Sequence, residues 1–532
     1  MKTFFFLLTM LLSLNVQAQA TSALAKQAKK GANAIFAETI IEERLKRHLL
    51  IIASDAMEGR ETGQPGIEKA AKYIKARLEN YNLPPFGVKD EGGKIQYEQP
   101  FSYHKERWGE RTVKVNDVFL TEKDYYSDIR MNTDLSLLNV DKVLFLGYGI
   151  QDEKYNDYAG VNAKGKTIII FDGEPKNKQN NFLISNSSTP SKWTENELLK
   201  YEIAFKHGVE LVLVIKSPLS EIRPKLKSRW QLGEGFLPKE RLVNNIQISE
   251  DAAKLILGRK YEKLKKYRRK ILKKGKSKHF KAKTSTKVVL NIDRDYLYGA
   301  NLLTIIEGSD PKLKDEYIFI SAHYDHLGKR GDEIYNGADD NGSGTSALIE
   351  IAHAFAQAKK AKMGPKRSIV VMWMAGEEKG LLGSAHYVES PLVPLKSTVA
   401  DINIDMIGRI DDDHKENPDY IYVIGADRLS TDLDKIVKSA NKHINLDLDY
   451  KFNADDDPNR FYFRSDHYNF AKNNIPSVFF FNGTHDDYHR ASDTVDKINF
   501  EKMTKVAKLT FYTAWEIANR TERLKVDVSG RN

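Results

Sequence analysis

The 532-residue chain contains no cysteine. That absence excludes any disulfide and any lipid-modified cysteine, and it requires a core large enough to hold without crosslinks. Long apolar runs are almost as scarce. After the first twenty residues none approaches the roughly twenty needed to span a bilayer, so the rest of the chain reads as soluble, with no membrane span expected in the mature chain. Residues 1–20 have a charged start at Lys2, an apolar centre and a small-residue end at Ala18-Gln-Ala20. They read as a secretory signal peptide too short to serve as an anchor, so a secreted or periplasmic protein is expected.

Acidic charge is in modest deficit, 73 Asp and Glu against 83 Lys and Arg, for a formal charge of +10. Much of the excess lies between Arg259 and Lys283. Such a run could bind nucleic acid or an anionic surface. Tyr261, Leu264, Tyr267 and Ile271 recur within it at roughly helical spacing, which reads instead as a solvated helix face followed by a linker; no nucleic-acid partner is expected. There is no internal repeat and no other low-complexity tract.

What the chain does have is a set of acids and imidazoles in its second half, His323, Asp325, Asp339, Glu377, Glu378, Asp405 and His489, most of them placed just after short apolar runs. Runs such as 316–322, 368–374, 398–404 and 475–481 are too short for free-standing helices and read as strands buried on both faces. In an open α/β sheet the carboxyl ends of such strands converge on one crevice. There, His323 could ligate a cation through one ring nitrogen while Asp325, two residues on, fixes its orientation. Asn336 to Gly344 forms a glycine-rich loop opening a helix whose Leu348, Ile351, Ala352 and Phe355 share a face. Within it a short carboxylate such as Asp339 could bridge two cations, or the Asp, Asn and Ser residues could simply cap the helix. The adjacent Glu377 and Glu378 repel each other unless a metal is present; one can bind it while the other takes a proton from water. Asp405 closes a third strand. Either His485 or His489 could be a ligand, and spacing does not choose between them. Mixed imidazole and carboxylate donors suit zinc better than magnesium or calcium.

The ordered motifs His323-x-Asp325, Gly337 to Gly344, Glu377-Glu378, Asn403 to Arg409, Arg464-Ser-Asp-His467 and Asp487-Tyr-His489-x-x-x-Asp493 together resemble the M28 family of zinc-dependent peptidases, mainly di-zinc aminopeptidases. The resemblance spans roughly 301–499. It implies two zinc ions bridged by Asp339, with His323 and Asp405 completing one and Glu378 and His489 the other. It further implies Glu377 as general base, Asp325 as the partner that orients His323, Tyr488 as a hydrogen-bond donor to the tetrahedral intermediate, and a cis peptide between Asp339 and Asp340. The expected activity is removal of residues from a free amino terminus of a peptide or oligopeptide. Carboxypeptidases and glutaminyl cyclases share the sheet, and a receptor-like relative without activity is the non-enzymatic alternative.

A chain of this length suggests two or three domains. The expected order is a signal peptide (1–20), the first part of the catalytic domain (21–107), an insert resembling the β-rich protease-associated (PA) domain (108–286, with the basic segment 259–283), and the rest of the catalytic domain (287–532). Strands alternating with helical patterns predict a mostly parallel, mixed α/β sheet sandwiched by helices. The stretch 34–80 reads as largely helical, interrupted at 53–66, and Met503, Val506, Leu509, Thr510 and Ala514 mark one face of a helix over 500–520. Side-chain specificity and oligomeric state are not legible.

Overall fold

The computed structural model describes residues 31–129, 132–217, 219, 231–232 and 242–528; the expected signal peptide lies outside them. Among the described residues no helix is long and apolar enough to cross a membrane. The chain divides into two compact units, Met1–Tyr103 with Leu297–Asn532, and His104–Tyr296.

The first unit is a mixed α/β fold, a central sheet flanked by helices. Its strands are the end of β1 (His279–Ile306), β2 (Tyr317–His323), β3 (Ser368–Met374), β4 (Thr398–Ile404), β5 (Tyr420–Ile424), β6 (Asp447–Asp449) and β7 (Ser477–Phe481), in the order β6-β5-β7-β4-β2-β3-β1. The four strands β7, β4, β2 and β3 are mutually parallel, and β1 and β5 each pair antiparallel at the flanks of this block. Every residue of β3, β4 and β7 is buried. That is why β3 and β7 read as apolar runs without alternation, whereas β4 also buries the polar Asp401 and Asn403.

Register then decides which side chains meet. His323, the last residue of β2, lies opposite Met374, the last of β3, so the Glu377-Glu378 turn emerges beside it. Ser321 lies opposite Asn403, and Ile404 opposite Phe480. The carboxyl ends of all four parallel strands therefore open onto one edge.

Helices α1 (Glu42–Ile52), α2 (Pro65–Asn80), α3 (Gly344–Lys360), α4 (Leu382–Glu389), α5 (Thr431–Asn441), α6 (His467–Ala471) and α7 (Phe500–Asn519) complete the unit. The expected apolar face of α3 is buried throughout, as are Met503, Val506, Leu509, Thr510 and Ala514 of α7. Phe355 packs on Phe511 with ring centroids 4.5 Å apart, which locks the two helices together. Each such fully buried aromatic or aliphatic side chain contributes about 1.5–3 kcal/mol.

The second unit has its own core. Strands Leu135–Leu146, Thr167–Phe171, Leu211–Ile215 and Asn244–Ile248 form a parallel set, joined by helices Leu198–Lys206, Glu250–Leu257 and Tyr261–Lys274. The basic segment is thus a helix and the beginning of a strand. Tyr261, Leu264 and Ile271 are buried in this core with Tyr267 packed against it, and Gly275 ends the helix in a left-handed conformation.

Candidate metal centre

At the carboxyl edge of the first unit, three strand ends and two loops bring six donors together. His323 presents Nε2 to Asp405 Oδ1 at 3.2 Å and to Asp340 Oδ1 at 3.4 Å. The other oxygen of Asp340 lies 3.1 Å from His489 Nε2. Glu378 Oε2 is 3.3 Å from the same His489 nitrogen, and its Oε1 is 2.9 Å from His326 Nδ1. Asp340 thus has one oxygen in each of two clusters, His323–Asp340–Asp405 and His326–Asp340–Glu378, with His489 against the second.

These spacings fit cations. Donors bonded at about 2.0–2.1 Å in a tetrahedral shell stand roughly 3.3 Å apart, close to the separations above. The donor set, imidazoles with carboxylates, is one zinc accepts.

Electrostatics point the same way. Burial pushes the Glu377 carboxyl well above the usual range, and the charges of Glu378, Asp405 and Asp466 add to this against the opposing pull of His323. Burial opposes ionisation of Glu378 too, but hydrogen bonds from His326 and His489 outweigh it and hold that group well below the usual range. Burial and Glu378 raise Asp340. So many carboxylates in one cleft are unfavourable without compensating positive charge.

The loop between β2 and α3 sets which aspartate enters the cleft. Asp493 accepts hydrogen bonds from the backbone amides of Asp339 (3.0 Å) and Asp340 (3.1 Å). Asp339 turns away: its Oδ1 accepts from Gly408 N at 2.7 Å and its Oδ2 lies 3.3 Å from His485. The expectation named Asp339 as the bridging carboxylate; in the structure it is Asp340, not Asp339, whose oxygens reach both clusters. The cis peptide is likewise Asp340–Asn341, one bond later than expected. Asn341 does the capping, accepting from Gly344 N and donating to Ile404 O.

The remaining residues are placed as follows. Asp325 is buried, with its main-chain oxygen 3.2 Å and its carboxylate 3.7 Å from His323 Nδ1. The carboxylate accepts from Thr62 Oγ1 and Glu377 N, so it ties the His323 strand end to the Glu377 turn. Glu377 lines a cavity with Asp340, Asp405, His489 and Tyr488. Tyr488 stacks on His489 at 3.9 Å and accepts a hydrogen bond from Arg464. His489 itself adopts φ +58°. His485 packs against Asp339 rather than in either cluster.

Sequence reading assigned no role to three residues near the centre. His326 is one; it stands three positions after His323 at the end of the same buried strand, and that spacing was the available signal. Ser465 donates to Asp405 Oδ2 at 2.7 Å. Arg60 is wholly buried and donates to the carbonyls of Ile52, Tyr324, Asn336 and Gly337, fixing the segments that lead to His326 and Asp340.

Comparison with known proteins places this geometry. Residues 301–514 match the family described as Peptidase family M28. That matched stretch, 301–514, carries the likeness to M28 peptidases. It is 41% identical over 118 residues to a protein named "Probable glutamate carboxypeptidase" from Arthroderma benhamiae, covering 22% of this chain and 15% of that protein. It is 30% identical over 229 residues to a "Probable leucine aminopeptidase" from Trichophyton verrucosum, covering 42% of this chain and 58% of the relative. The match therefore spans less than two thirds of either relative. Among solved structures it resembles an aminopeptidase from Aneurinibacillus sp. strain AM-1, with 18% identity, TM-score 0.45 and coverage of 94% of this chain and 98% of the other.

Proposed function

We propose that this protein is an exported zinc aminopeptidase with two metal positions. Asp340 would serve both; His323 and Asp405 would hold one ion, and Glu378 and His489 the other. The observation that carries this reading is the placement of the two Asp340 oxygens in separate imidazole–carboxylate clusters. When bound, zinc polarises a scissile carbonyl and lowers the pKa of a water.

The protein's own residues supply the rest. Glu377 faces the cavity and takes the proton of the attacking water, then returns it to the leaving amine. Asp325 keeps the Glu377 turn and His323 in register through the contacts described above. Tyr488, held by Arg464, donates to the developing oxyanion.

Met406, Phe461, Phe479 and Phe481 line the cavity beside these groups. This apolar wall supports an aliphatic or aromatic residue at the amino terminus of the substrate, in line with the leucine aminopeptidase name of one relative. The second unit is proposed to be a PA-like insert, and residues 1–20 a secretory leader.

A panel of aminoacyl reporters, run beside the same peptides with blocked amino termini, tests the reading. Leucyl and phenylalanyl reporters should be cleaved and blocked peptides spared. Cleavage of blocked peptides with free carboxyl termini would replace the aminopeptidase reading with a carboxypeptidase one.

A further inference from the structure

We propose that His326 is a positioning residue for the second metal position: its imidazole holds one oxygen of Glu378 so that the other faces the ion. This rests on the two-metal reading above.

The two oxygens of Glu378 are engaged by two different rings. His326 Nδ1 is 2.9 Å from Oε1 and His489 Nε2 is 3.3 Å from Oε2. The His326 ring is wholly buried, and its Nε2 has no hydrogen-bond partner. Glu378 is therefore the acceptor for the ring's N–H, which places the proton of the neutral ring on Nδ1. From Nδ1 to the nearer Asp340 oxygen is 3.7 Å, beyond hydrogen-bonding range. Of the ligand residues, the ring hydrogen-bonds to Glu378 and meets His489 edge-on, with centroids 6.0 Å apart.

The surrounding backbone is built to keep the ring there. The His326 amide donates to Arg60 O, and the Arg60 guanidinium ties down Asn336 and Gly337. Gly337 has φ +55°, and a Cβ there would stand 2.4 Å from His326 Cδ2. Only glycine leaves room for the ring at this point. The His489 side chain, by contrast, is 39% exposed. The second position thus pairs one buried imidazole, which aims the carboxylate, with one more exposed imidazole placed to coordinate.

The test measures zinc affinity of the full chain by competition with a chromophoric chelator, with zinc-free protein melted in parallel to confirm folding. Groups that orient a metal ligand typically contribute 10–100-fold to metal affinity, so His326→Phe should weaken one of two zinc ions by about that factor and leave the other unchanged. His326→Asn, whose amide nitrogen can take the place of Nδ1, should recover most of the loss; His326→Leu substitutes for the Phe variant if that variant does not fold. Unchanged affinity for both ions in the Phe or Leu variant overturns the proposal. Loss of the ion from the Asn variant as complete as from the Phe variant also overturns it, because the ring would then be coordinating directly. Wild-type protein that binds fewer than two zinc ions instead sinks the two-metal reading on which the proposal stands.

Discussion

Neutralising each of the two adjacent aspartates should produce opposite phenotypes, and this comparison decides which carboxylate the metals share. Asp340→Asn removes the charge common to both clusters. The resulting loss of zinc affinity should exceed the roughly 100-fold upper end for groups that merely orient a ligand, and it should affect both ions. Stability of the zinc-stripped protein should change little, because burial and the neighbouring Glu378 already disfavour the ionised form of Asp340. Asp339 is the reverse case. Burial opposes its ionisation, but His485 and the Gly408 amide outweigh that and hold it below the usual carboxylate range. Asp339→Asn weakens a charge-assisted hydrogen bond of the kind that contributes about 1.5–3 kcal/mol. It should therefore lower the urea midpoint while zinc stoichiometry stays at the wild-type value. Zinc content by chelator competition and unfolding of the stripped protein, measured on both variants, give the four numbers needed. If Asp339→Asn strips the zinc and Asp340→Asn keeps it, the geometry argued here is wrong.

Glu377→Gln should retain zinc yet lose about 10²–10⁴-fold in kcat, the contribution of a positioned base; retained turnover on leucyl reporters would remove Glu377 from that role. Arg60→Met removes the guanidinium bonds to four carbonyls, of which Gly337 O keeps a second donor in Gly342 N; at about 1–3 kcal/mol for each of the other three, urea unfolding should show a loss of at least 3 kcal/mol. In the second unit, burial lowers Lys200 from 10.5 to about 8 against the favourable charges of Asp172 and Glu197. Between those two values the unfolded chain holds a proton the native one has released, so stability should rise with pH across that window. The difference is bounded at roughly 3 kcal/mol, and Lys200→Met should flatten the rise in denaturant titrations run from pH 7 to 11.

The sheet was legible because β3, β4 and β7 are buried on both faces, which leaves no ambiguity in an apolar run of five to seven residues. His323, Glu378 and Asp405 could be read as candidate donors because strand ends in such a sheet have one place to converge; His489 was separated from His485 only by the family resemblance. The choice between Asp339 and Asp340 was not legible. Neighbouring carboxylates in a tight loop differ only in local torsions, and here those are set by Asp493, about 150 residues downstream. His326 offered only its three-residue spacing from His323, which does not assign a role, since that role depends on a ring-sized gap at Gly337. Arg60 lies on a segment that periodicity marks only as a break between helices.

The reach of Arg60 also has a temporal consequence. Its side chain bonds to Tyr324 O across 264 positions and to Gly337 O across 277. At a synthesis rate of about 5–20 residues per second, a nascent chain waits roughly 13–55 seconds between making the guanidinium and making the Tyr324 and Gly337 carbonyls it binds. In that interval the whole His104–Tyr296 unit is synthesised, so the cleft is among the last parts of the molecule able to assemble.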